Sequence, residues 1–332
     1  MSDAVERLGL ATAPFVHRGL DTRRIMWEVL GSLVIVIAAS AWWFGLAALL
    51  VVAAASIGAV ATEWLFATDR RSLGSLRDGS ALLTGVLLAL TLPPSTPLWM
   101  AFLGGIVGVA LGKTIWGGLG QNLFNPALVG RSFLQAEFPQ ALTTWTAHGG
   151  SFWDLPGSTL AVPFARASVD AVTTATPLGM AKFDKTFTPF APLMTGQIPG
   201  SLGETAGWVL VAIGVYLAVR GVFDWRLAVS TLATVAVLSE AFHRIAPETY
   251  PGAAFMIGSG GLLFAAVYMV TDPVSTPITP RGAWIFGIGT GALVVLIRYW
   301  GGLPEGVMYA ILLMNSVTPL INRVTQPRRF GA

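Results

Sequence analysis

Residues 91–97 read TLPPSTP, and residues 271–277 read TDPVSTP. The second heptad follows the first by 180 residues, and the register extends beyond it. Leu82–Leu83 match Leu262–Leu263 at the same offset, and Gly104, Gly108 and Gly112 face Gly287 and Gly291 at nearly that offset. Taken singly, Pro-Ser-Thr-Pro is a common loop composition. Repeated in register, with glycines four apart after each copy, it reads as an internal duplication. Prolines withdraw backbone donors. Such interruptions persist in apolar surroundings only where protein or a cavity satisfies the freed groups.

The surroundings are apolar throughout. Hydrophobic residues make up 54% of the 332-residue chain and charged residues 11%, against about 25% charged in soluble domains. So few charges cannot cover a water-facing surface, and the apolar residues come in runs of bilayer-crossing length. An integral membrane protein is expected. The first 24 residues are polar and mixed in charge, with no apolar core or small-residue cleavage site, so no cleaved signal peptide is expected.

The run from Ile25 to Phe66 is too long for one span, and it divides near Trp42–Trp43, since tryptophan favours the membrane interface. Further apolar segments cover 79–94, 96–112 and 115–134, then 205–221, 227–243, 253–270, 282–299 and 304–321. Residues 135–204 hold prolines, threonines and scattered charges instead. The expected fold is therefore all-α, with about ten transmembrane segments in two sets of five around a polar insert. The first heptad ends the third segment and the second ends the eighth. A shift of five reverses direction across the membrane, which makes an inverted repeat with broken helices and a site near the midplane.

Arginines orient this arrangement. Arg18, Arg23 and Arg24 precede the first segment, and Arg70, Arg71 and Arg77 follow the second. Arg220 and Arg226 bracket one later turn, Arg281 marks another, and Arg323, Arg328 and Arg329 close the chain. With both termini inside, all these groups face the cytoplasm, as the positive-inside rule requires, while His243–Arg244 and Arg298 are outward exceptions. The expected divisions are a cytoplasmic segment 1–24, a first membrane repeat 25–134, an extracytoplasmic insert 135–204, a second repeat 205–322 and a cytoplasmic tail 323–332. Five acids (Glu137, Asp154, Asp170, Asp184, Glu204) against three bases (Arg166, Lys182, Lys185) suit the insert for export.

Several chemistries are excluded or unsupported. The absence of cysteine removes disulfides, cysteine-ligated iron–sulfur clusters and thiol nucleophiles. His17, His148 and His243 lie far apart and give no metal-ligand spacing. The basic residues flank apolar runs, so they orient spans and bind no nucleic acid. Glu28, Glu63 and Glu240 fall toward segment ends, where interfacial solvation accounts for them. No phosphate loop and no serine–histidine–acid set is present, and no catalytic residue or metal ligand is assigned.

The insert's distinctive stretch is DAVTTATPLG, Asp170 to Gly179. Its threonines suit an exposed loop or short strand that Pro177 terminates. They also suit a functional reading, in which Thr176, between Ala175 and Pro177, offers an accessible hydroxyl to an enzyme-added group. Asp170-x-x-Thr173-Thr174-Ala175-Thr176 resembles the flavin transferase recognition pattern Asp-x-x-(Ser/Thr)-Gly-Ala-Thr, with Thr174 in the glycine position.

The resemblance extends over GSALLTGVLLALTLPP (79–94), GKTIWGGLGQNLFNPALVGRSF (112–133) and VYMVTDPVSTPITPRG (267–282), and over nearly all of the chain from Pro14 to Arg323. These stretches resemble the membrane flavoprotein family of the Rnf complex D subunit and the B subunit of sodium-translocating NADH:quinone oxidoreductase (RnfD/NqrB). The short N-terminal segment and the Thr-Thr-Ala-Thr wording favour the Rnf branch. The resemblance implies FMN held on Thr176 by a phosphoester, with Asp170, Thr173, Thr174 and Ala175 as the transferase's recognition setting. It implies a second flavin, riboflavin, between the repeats, with the two heptads as its expected neighbourhood. It further implies partner subunits (Rnf A, B, C, E and G), a flavin transferase, and electron exchange with ferredoxin and NAD coupled to Na+ or H+ movement, in a bacterial inner membrane with the insert on the periplasmic side. The alternatives are an NqrB-type subunit and a non-redox transporter or channel with the same repeat.

Overall fold

A glycine divides the first long apolar run. Helix α1 (Thr22–Phe44) ends at Gly45 and α2 (Leu46–Phe66) begins directly after it. Gly45 has φ of +65°, a conformation that costs a residue with a Cβ about 1–2 kcal/mol, and a Cβ there would run into the Phe152 carbonyl. That carbonyl accepts the Leu46 amide at 2.8 Å, so the insert caps the second helix.

The computed structural model describes residues 21–67, 74–146, 151–163, 174–204 and 207–326, and their regular structure is helical. The first half continues with α3 (Ser80–Leu90), α4 (Leu98–Gly112) and α5 (Pro126–Glu137). The second half contains α6 (Gly207–Val219), α7 (Trp225–Ile245), α8 (Ala253–Gly258), α9 (Leu262–Tyr268), α10 (Pro280–Trp300) and α11 (Val307–Thr325). Six helices among the described residues are long and apolar enough to cross a bilayer: α1, α2, α4 extended to Trp116, α7, α10 and α11. The chain is a multi-pass membrane protein.

Four of the ten expected segments are shorter than a span, among them 205–221, which yields the 13-residue α6. Segment 79–94 yields the 11-residue α3 before the heptad turns the chain, about 16 Å of helix against a hydrocarbon core of about 30 Å. Segment 115–134 is broken by Gly117, Gly118 and Gly120 at positive φ. It becomes helical only at α5, where the Asn125 side chain accepts the Ala127 and Leu128 amides and Pro126 takes the first helical position. Segment 253–270 splits into α8 and α9 at Ser259-Gly260-Gly261. Arg298 of α10 satisfies that break, donating through Nη1 to the Met256 carbonyl at 2.6 Å and through Nη2 to the Ser259 carbonyl at 2.9 Å. The residue expected as an outward charge is thus a buried clamp on a broken helix.

The duplication is visible in the packing. In the first half α2 lies along α4, which in turn packs on α5; in the second α7 lies along α10, which packs on α11. Both long pairs approach closely because glycines face backbone. A Cβ on Gly105 would strike the Ala55 carbonyl, and one on Gly291 would sit 2.7 Å from the Thr231 carbonyl. The equivalent helices α3 and α9 run in opposite directions, which the two main cavities reveal. One cavity takes the end of α3 at Thr91 and the start of α9 at Gly261 and Phe264. The other takes the start of α3 at Ser80 and Leu83 and the end of α9 at Tyr268 and Thr271.

Buried polar contacts join the halves. Ser32 and Tyr268 hydroxyls meet at 3.1 Å, and Asn315 accepts the Asn125 amide while donating to the Ser275 carbonyl. Glu63 also departs from expectation. It is buried, and both of its oxygens take the Lys113 ammonium at 2.7 Å, with Ser80 as a third ligand of that ammonium at 2.6 Å. The pair is enclosed by α2, α3 and the end of α4, so interfacial water does not solvate this carboxylate.

Candidate functional site

The larger cavity, about 540 Å3, lies where the insert meets both halves. Usual ligand pockets measure about 300–1,000 Å3, mostly apolar with a few placed polar groups. Here the apolar surface comes from Leu128, Leu142, Trp145, Phe264 and Met308, and the ionisable groups are Arg131, Asp184, Glu204, Glu305 and Tyr309. Thr174, Ala175 and Thr176 form part of the same wall.

Local backbone chemistry fixes that stretch. Thr174 gives both its amide, at 3.0 Å, and its hydroxyl, at 3.2 Å, to the Trp145 carbonyl. Among the described residues Lys185 alone combines a side chain with positive φ. Thr174 thus holds the place of glycine without strain, and its hydroxyl reinforces an anchor that glycine would make with its amide alone. Thr176 is extended, with its Oγ1 accepting the Gly179 amide at 3.1 Å and its carbonyl accepting the Met180 amide at 2.9 Å. It therefore caps a short helix that begins with Pro177, so the proline starts regular structure where termination was expected. The expected accessible hydroxyl is also corrected: Thr176 is 6% exposed and faces the cavity wall, while Ala175 is exposed. Asp170 and Thr173 lie outside the described residues.

Three charged residues without a signal in the sequence complete the wall. Arg131, on α5, reaches Glu305, in the loop before α11, at 3.5 Å. Its Nη1 is buried without a hydrogen-bond partner, a donor that an anion in the cavity would satisfy. Glu204 is buried at the end of the 3-10 turn Leu202–Glu204, where Ser201 donates its hydroxyl to Oε1 at 2.6 Å. Burial, reinforced by the nearby charge of Glu305, pushes its pKa up to about 8, against the opposing Ser201 hydrogen bond and the Arg131 charge.

A family model described as the NQR2, RnfD, RnfE family matches residues 10–331. The chain belongs to this family. It is 39% identical, over 97% of its length and 96% of the relative's, to the D subunit of a proton-translocating ferredoxin:NAD(+) oxidoreductase complex of Clostridium ljungdahlii. It is 41% identical to the D subunit of an ion-translocating oxidoreductase complex of Stutzerimonas stutzeri, over 79% of this chain and 78% of that one. With the corresponding Escherichia coli O127:H6 protein it shares 36% identity over 97% and 98% of the two chains.

In this member of the NQR2, RnfD, RnfE family, a lysine pins the threonine segment to the second half. Lys182, in the turn after Thr176, donates to the carbonyls of Arg298, Gly301 and Leu303. These carbonyls end α10 and begin the loop carrying Glu305, a favoured place for a cation. Burial pushes the Lys182 pKa down from the usual lysine range, with the neighbouring Lys185 acting the same way. Arg131 does fall within the family-like stretch 112–133, which is as near as residue order comes to marking it. Glu204 and Glu305 carry no local motif, and only the fold brings them to residue 131.

Proposed function

We propose that this chain is the D-type membrane subunit of an Rnf ferredoxin:NAD oxidoreductase, holding FMN through a phosphoester on Thr176. Its relatives' names supply the complex, and the burial of Thr176 in the wall of a cavity of about 540 Å3 supports the flavin. The residues fit the group. The apolar and aromatic walls suit a flat ring system, and the unpartnered Nη1 of Arg131 suits its anionic portions. When bound, FMN supplies the electron-carrying chemistry, and the protein holds, orients and electrostatically tunes it. Thr174 fixes the anchor strand through Trp145, Ala175 stays exposed beside the anchor, and Asp170 and Thr173 complete the stretch that a flavin transferase reads.

The smaller cavity, beside Thr271, measures about 70 Å3. It does not fit a second isoalloxazine ring. The basic ends favour an inner-membrane orientation with the larger cavity outward. The starts of α1 and α3 and the α6–α7 turn, near Arg24, Arg77, Arg220 and Arg226, meet at the smaller cavity, while the insert covers the larger one. In this reading residues 135–204 are the periplasmic flavin-bearing insert between the membrane repeats 25–134 and 205–322. The protein passes electrons to neighbouring Rnf subunits (A, B, C, E and G), between ferredoxin and NAD, with Na+ or H+ movement coupled to them.

Fluorescence of the denatured protein band tests the anchor. Protein from cells containing the transferase glows under ultraviolet light, and Thr176→Ala is dark. A dark band from the unaltered chain would overturn the flavin and favour a transporter without a redox group.

A further inference from the structure

Three carboxyls, Asp184, Glu204 and Glu305, share the cavity wall with the anchor, and they are held differently. Asp184 is exposed. Glu305 is partly exposed and paired with Arg131. Glu204 is buried, and among the described residues it forms no ion pair. The cations acting on it make their contacts elsewhere: Arg131 reaches Glu305 through Nη2, its Nη1 staying unpartnered, and Arg298 gives Nη1 and Nη2 to the Met256 and Ser259 carbonyls. Helices α1, α3 and α9 pack against its turn and place Ser40, Leu90 and Phe264 beside it, bringing no charge. Space is reserved for the carboxyl. A Cβ on Gly200 would stand 2.5 Å from Oε2, and one on Gly261 would stand 3.5 Å from Oε1.

A buried carboxyl without a cation of its own answers strongly to any charge placed in the same cavity, because burial weakens screening. We propose that Glu204 is the proton site of this cavity, binding a proton when electrons enter the flavin beside it and releasing that proton when they leave. The proposal rests on the flavin reading. Electrons come from a reduced flavin or iron–sulfur carrier of a neighbouring subunit, and they add negative charge to the cavity. One proton from solvent forms an O–H bond on the Glu204 carboxylate, and on reoxidation the same bond breaks and the proton returns to solvent. Burial chiefly raises the pH at which this happens, and Glu305 and Arg131 adjust it. Glu305 favours the protonated carboxyl and Arg131 the ionised one.

The test is a reduced-minus-oxidised infrared difference spectrum of the detergent-solubilised complex, with dithionite as reductant. Reduction is expected to raise a protonated-carboxyl C=O band, strongest at the alkaline pH where oxidised Glu204 is ionised. Glu204→Gln should lose the band while the denatured protein remains fluorescent. Glu305→Gln, which leaves Glu204 in place, should move the onset of the band to lower pH. A band that persists in Glu204→Gln, or an onset that stays or rises in Glu305→Gln, overturns the proposal. If Glu204→Gln fails to fold, the Glu305→Gln onset decides alone. A fluorescent wild type without the band overturns the proton site and spares the flavin; a dark wild-type band overturns both.

Discussion

The two cavities are built from equivalent pieces and end up unlike. The larger takes the end of α3, the start of α9 and the start of α11. The smaller takes the start of α3, the end of α9 and the start of α5. The larger is also walled by the insert, and its volume is about 540 Å3 against about 70 Å3. The heptads show how the divergence arose. In TLPPSTP the second residue is Leu92, whose carbonyl takes the Leu202 amide, while Ser95 donates to the Thr144 carbonyl. That copy is wired into the insert. In TDPVSTP the second residue is Asp272, which accepts the Ser275 hydroxyl and the Val274 amide, while the Ser275 carbonyl takes Asn315 and Thr318 of α11. That copy is wired into its own half. One duplicated turn thus supports an open chamber at one end of the molecule and a closed polar joint at the other.

Four experiments would break or sharpen this contrast. The largest effect belongs to the open end: Thr176→Ala should remove all covalent flavin fluorescence, whereas Thr271→Ala at the closed end should leave it intact. Next is Lys113→Met, which strands the buried Glu63 carboxylate. Breaking a buried pair from one side costs about 3–5 kcal/mol, and replacing both partners is far milder. Thermal unfolding in detergent should show a large loss for Lys113→Met and substantial recovery in Lys113→Met/Glu63→Leu. Gly105→Ala and Gly291→Ala test whether the long helix pairs are equivalent. Overpacking at each should cost about 1–3 kcal/mol, and a clear inequality would mean that the two halves do not share one packing solution. The smallest effect is expected for Thr174→Ala, which removes a side-chain hydrogen bond worth about 1 kcal/mol and keeps the amide on Trp145. Its flavin band should stay bright, and a dark one would assign the hydroxyl to transferase recognition.

Much of this was legible from residue order. The heptads located the inverted repeat, Trp42–Trp43 lay beside the break that Gly45 makes, and the threonine cluster led to the wall of the larger of the two cavities. Local signals sufficed there because turn chemistry and apolar run length are properties of neighbours in sequence. The misreadings involve distant partners. Glu63 looked interfacial because Lys113 is 50 residues away, and the burial of Arg298 went unseen because the carbonyls it clamps belong to residues 256 and 259. Glu204, Glu305 and Arg131 come from three separate elements, and no spacing announces their meeting. The split of 253–270 was readable in principle, since Ser259-Gly260-Gly261 carries a breaker signal. Hydropathy alone masked it.

Lys182 has a mechanical consequence. One ammonium ties the turn after Thr176 to the last carbonyls of α10 and to the loop leading to Glu305. Anchor and acidic wall therefore behave as a single strut, braced against a membrane-crossing helix at one end. A displacement of α10 by a neighbouring subunit would carry the attachment point and the wall together, keeping their spacing while shifting both against α5 and Arg131.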